Sequence, residues 1–145
     1  MAEKSNKAGR IILAVLTGLI LGAVINSLTI QLMVNIIPLP EGIDPNDPES
    51  LRAGMERFEF KHYISPWLGH ALGTLAGALI CTKICGAVAK LLWPMIISVL
   101  FLLGGIIMVI MIPNAPVEFI LADLLLAYLP MGWLGYQLGK PKLKE

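Results

Sequence analysis

The chain has 145 residues, 57% of them hydrophobic and only 14% charged, with a net charge of +1. Soluble domains run nearer ~45–50% apolar and ~25% charged, and here the excess is gathered into long runs divided by short polar breaks, which is the pattern of a membrane protein. A charge this close to balance excludes nucleic acid as a partner and leaves the lipid bilayer as the surroundings to which the sequence is fitted.

Met1 to Arg10 is polar and carries Lys4, Lys7 and Arg10; an almost unbroken apolar run follows to about Ile37. A signal peptide would have an apolar core of roughly 7–15 residues ending at a small-residue cleavage site. This run is longer and lacks that site, so it reads as a retained first transmembrane helix over 11–37. Gly18 and Gly22 form a GxxxG, and Asn26 continues their face. Such spacing lets another helix approach closely. The far part of the helix is polar for a lipid-facing segment, with Asn26, Ser27, Thr29, Gln31 and Asn35.

Residues 38–64 form the one long hydrophilic stretch. Pro38, Pro40, Pro45 and Pro48 bar a helix through its first half, but Asp47-Pro48-Glu49 has the form of a helix start, and Leu51, Met55 and Phe58 follow at helical spacing. A short amphipathic helix over the bundle is predicted. Asp44, Asn46 and Asp47 lack the ligand ladder of an EF-hand and read as turn chemistry. Glu59 and His62 have the E-x-x-H spacing of bundle metal sites, but no second copy exists. No metal or other cofactor is expected.

The second span is predicted over 65–83. Pro66 suits its first turn, and Trp67 an interfacial position. Gly69, Gly73 and Gly77 repeat every fourth residue, with His70 and Thr74 one turn apart. Cys81 and Cys85 are spaced C-x-x-x-C, which fits small residues at a packed helix end better than a redox or zinc motif. A third span over 91–111 contains Gly104 and Gly105; a Pro113-Asn114-Ala115-Pro116 turn leads to a fourth over 117–138, kinked at Pro130. The predicted fold is an all-α four-helix transmembrane bundle forming a single domain, with a long structured outer loop.

With four spans, Lys4, Lys7, Arg10, Lys83, Lys90, Lys140, Lys142 and Lys144 fall on one side of the membrane, and Arg52, Arg57 and Lys61 on the other. The positive-inside rule then places both termini in the cytoplasm.

Asp123 stands among leucines and alanine, where a carboxylate costs ~2.5–3.5 kcal/mol on insertion scales. It must face protein, water or a partner. By helical rise it lies ~9 Å below the outer end of the fourth span, and His70 ~7–8 Å below that of the second. Ser27 and Gln31 on the first span reach a similar depth. A polar cluster of Asp123, His70, Thr74, Ser27 and Gln31 is therefore expected in the outer half of the bundle. It could bind an ion, a proton or a small solute, or lock helix packing. No G-x-S-x-G, H-E-x-x-H or C-x-x-C occurs, and no phosphate loop, so an enzyme is not expected.

Three strings, Phe60 to Gly77, Phe101 to Ile107 and Asp123 to Gly132, resemble a group of small four-helix bacterial membrane proteins with no assigned activity. The resemblance implies the four-helix topology and a bacterial inner membrane, and carries no mechanism. The sequence points first to a small transporter or channel-like protein, assembled as a homo-oligomer through the glycine faces of its first or second helix. The alternative is a non-catalytic accessory subunit of a larger membrane complex.

Overall fold

The computed structural model describes residues 2–141. Every regular element among them is helical. Four helices are long and apolar enough to cross a membrane. Helix α1 (Ala2–Ile36) begins well before the predicted residue 11, because the polar leader is free of proline. At 1.5 Å per residue it is about 52 Å long, against a hydrocarbon core of about 30 Å. The helix stops just before Ile37-Pro38, where proline disfavours helical geometry in its predecessor.

Helix α2 (Pro48–Gly54) starts as its residues require: Asp47 is the N-cap, and its carboxylate accepts the Glu49 N–H at 3.0 Å. The Asp44 carboxylate is likewise used locally, accepting the Asn46 N–H at 2.8 Å. Between α2 and the next span a 3₁₀ turn, Phe60–Tyr63, is closed by a reciprocal cap. In it the Glu59 side chain takes the His62 N–H, and His62 Nδ1 accepts the Glu59 N–H at 2.8 Å. This cap accounts for the E-x-x-H spacing. The whole 38–63 segment is pinned on the bundle by Met55 and Tyr63, which pack with Ile112, Met108 and Phe119.

Helix α3 (Ile64–Cys85) is the centre of the bundle, with α1, α6 and α4 packed around it. Helix α4 (Leu92–Met111) follows a short turn. The last span is divided into α5 (Val117–Leu126) and α6 (Leu129–Gly139), so the expected kink is a break at Ala127–Tyr128. Pro130 has no N–H for the Leu126 carbonyl and its ring crowds the preceding turn.

The glycines predicted for helix contact all lie in one seam between α1 and α3. A Cβ on Gly18 would stand 2.5 Å from the Gly77 carbonyl oxygen, and one on Gly22 2.8 Å from that of Gly73. One on Gly69 would meet Ile30 and Asn26 within 2.7 Å. The seam is therefore spent inside the chain. This corrects the expectation that these faces join separate copies: α1 and α3 are each other's partners. Cys81 and Cys85 are buried beside Ala14 and Ile97 at the far end of the seam, without a disulfide.

Arg10 closes that end. Its Nε donates to the Ile84 carbonyl at 2.6 Å, capping the C-terminus of α3, while Gly86 adopts φ +55° beside the guanidinium. Lys83, Lys90 and Lys140 belong to the same end, and Arg52, Arg57 and Lys61 to the end carrying the 38–63 segment. Lys142 and Lys144 lie outside the described residues, as does the Lys4 side chain.

Candidate functional site

Two helices and a helix break deliver three side chains to one point. His70 comes from α3, Asp123 from α5, and Tyr128 from the break between α5 and α6. His70 Nδ1 is 2.8 Å from Asp123 Oδ1, and the Tyr128 hydroxyl donates to Asp123 Oδ2 at 2.9 Å. The same hydroxyl oxygen lies 2.9 Å from His70 Nδ1, and the two rings are stacked with centroids 5.6 Å apart. Asp123 is 3% exposed, so both carboxylate oxygens depend on these donors.

The framework around them is specific. The Trp67 indole N–H donates to the Ala122 carbonyl at 3.3 Å, fixing α5 against α3 one residue before the acid. Gly105 of α4 is bare where the Tyr128 ring passes; any Cβ there would run into the phenol. On a continuous helix, residues five apart lie about 140° away from each other. The break before Pro130 turns Tyr128 back to the acid, which is why helical spacing gave no sign of it.

Other predicted members are elsewhere. Thr74 is buried, but its hydroxyl donates to the His70 carbonyl at 2.7 Å within α3 and does not reach Asp123. Ser27 and Gln31 are exposed and bonded to each other at 3.2 Å. They share the cluster's depth but not its direction. The side of α1 that faces α3 carries Gly18, Gly22, Asn26 and Ile30, and Ser27 is about 100° further round. Asn26, which does face α3, has a buried Oδ1 with no hydrogen-bond partner.

With Tyr128 behind them, two of the three, His70 and Asp123, line a chamber of about 170 Å³. Its walls come from α1, α3, α4 and α5, and its roof from the 38–63 segment through Leu39, Pro45, Leu51, Met55 and Phe58. The lining is overwhelmingly apolar, with His70 and Asp123 at one end. No group of three metal-ligating side chains exists among the described residues.

Replacing Tyr128 with phenylalanine keeps the ring against Gly105 and removes the donor to Oδ2. A buried acceptor left unpaired costs about 1–3 kcal/mol. Thermal unfolding of the detergent-purified protein should register that loss; an unchanged midpoint would mean that Oδ2 does not rely on the phenol.

No family model matches the chain, and comparison with curated proteins and with solved structures returns no match. Function must be read from the chain's own geometry.

Proposed function

We propose that this is a multi-pass protein of the bacterial inner membrane, a small transporter or channel-like protein, with its solute or proton site at His70, Asp123 and Tyr128. The observation that supports this most directly is a buried carboxylate, bonded to an imidazole, at the floor of a roofed chamber between helices apolar enough to span a bilayer. An intramembrane acid is costly and is retained where it serves a pathway or a ligand. The imidazole beside it can pass a proton between its two nitrogens, which suits proton exchange.

The orientation we propose is both termini in the cytoplasm and the 38–63 roof outside. The basic end formed by Arg10, Lys83, Lys90 and Lys140 favours the cytoplasmic side. A homo-oligomer would supply what four helices from one chain do not, a path enclosed on all sides. One observation favours a second reading, the accessory subunit. Ser27 and Gln31 form an exposed polar patch on the face of α1 that α3 leaves free, and a partner helix could cover it.

The test uses Asp123→Asn, which keeps shape and one oxygen acceptor. Expression and thermal midpoint should stay close to wild type. Flux in proteoliposomes, and thermal protection by any member of a small ion and solute panel, should be abolished. Full flux in Asp123→Asn would remove the triad from the transport path. Constant recovery with a second membrane protein would move the assignment to the accessory role.

A further inference from the structure

The polar atoms around the chamber are almost all engaged. The Tyr63 hydroxyl donates to Met55 Sδ at 3.0 Å, and the Ser65 hydroxyl to the Ile30 carbonyl at 3.2 Å. His62 spends its Nδ1 on the Glu59 N–H near the roof. At the floor, Asp123 has a donor on each oxygen.

His70 is different. Both of its protein contacts are on Nδ1. Among the described residues, the fully buried side-chain atoms without a partner are Asn26 Oδ1 and Trp93 Nε1. His70 Nε2 makes no hydrogen bond to the protein and is not fully buried, and His70 is one of the residues lining the chamber. With Asp123 ionised, its carboxylate only accepts hydrogen bonds, which puts the shared proton on Nδ1 and leaves Nε2 as an acceptor.

With the chamber taken as the ligand site proposed above, we infer that its ligand is an amphipath carrying one O–H group, with its apolar body along Met55, Phe58, Met108 and Phe119 and its hydroxyl donating to His70 Nε2. A bare or hydrated ion does not fit: its water would be lost against apolar walls that return almost no hydrogen bonds. A solute rich in polar groups meets the same penalty. A molecule soluble in the bilayer, with a single proton to share, leaves neither itself nor the histidine unpaired.

The test is photolabelling in liposomes of the full-length protein with two diazirine-bearing alkyl probes. They share one chain and differ in the head, hydroxyl against methyl ether. The hydroxyl probe should give adducts on peptides containing Met55, Met108 or Phe119, competed by 1-decanol. The ether should label those peptides about tenfold less, the loss of about 1.4 kcal/mol of binding. His70→Phe should erase the difference between the probes. Equal labelling by both probes in the wild type, or adducts confined to outward-facing residues such as Leu28, Leu32 and Leu103, would overturn the assignment. The wild-type comparison needs no variant, so it holds even if His70→Phe fails to fold. Flux carried by Asp123-dependent transport of an inorganic ion, with no preference between the probes, would defeat this ligand class and leave the transport reading standing.

Discussion

Asp123→Ala should be the most damaging single substitution within the triad. It strips the Tyr128 hydroxyl and His70 Nδ1 of their acceptor in one step. A buried donor left without its acceptor costs about 1–3 kcal/mol, and here two donors lose the same partner at once. The void left by the carboxylate adds to that cost. The expected result is a fall of many degrees in the thermal midpoint, or loss of folded protein on extraction. Asp123→Asn should show only a fraction of the change. The contrast separates two roles. If Asn and Ala are equally damaging, the charge holds the bundle together; if only Ala unfolds it, shape and hydrogen bonding hold it, and the charge is free for function.

The second large effect is expected at Gly18. A methyl there would stand 2.5 Å from the Gly77 carbonyl oxygen, 2.7 Å from Ile97 Cδ1 and 3.0 Å from Cys81 Cβ. The first of these is backbone and cannot swing aside, so α1 and α3 must separate along the whole seam. Overpacking of this kind costs about 1–3 kcal/mol, and the upper end applies because the contact is helix to helix. Gly104 on α4 is the control, since nothing lies within 4 Å of its would-be Cβ. Gly104→Ala should hold or slightly raise stability, because alanine is the better helix former by about 1 kcal/mol. Unfolding in graded SDS would compare the two. If Gly18→Ala is as harmless as Gly104→Ala, the seam is not what holds α1 to α3.

Much of this fold was legible because two periodicities in the sequence are physical constraints. Apolar runs must match the bilayer, and glycines every fourth residue must face another helix. The first found four spans; the second marked Gly18, Gly22, Gly69, Gly73 and Gly77 as contact positions but assigned them to a second copy, where the structure pairs them within the chain. The Asp123–His70 contact was reachable from depth alone, since both lie a similar distance from the same end of their helices. Depth gives no direction around a helix, and this is why Ser27 and Gln31 were placed in a cluster that they face away from. Tyr128 was hidden for another reason. Its approach to Asp123 exists only because Pro130 breaks the helix, and pattern reasoning that extends a helix through a proline turns that side chain away. The chamber was invisible, because its lining is gathered from residues as far apart in the chain as Ile30 and Asp123.

Because the glycines of the α1–α3 seam are consumed facing inward, much of the outside of this protein is a coat of bulky aliphatic chains: Ile20, Leu28 and Leu32 on α1, and Leu103, Ile107 and Ile110 on α4. Any neighbour, whether acyl chain or protein, therefore meets a rough, branched surface rather than a smooth groove where two backbones could nestle. Whatever associates with it from the side must do so by meshing side chains, at a wider axis-to-axis spacing than the glycine-lined pair within.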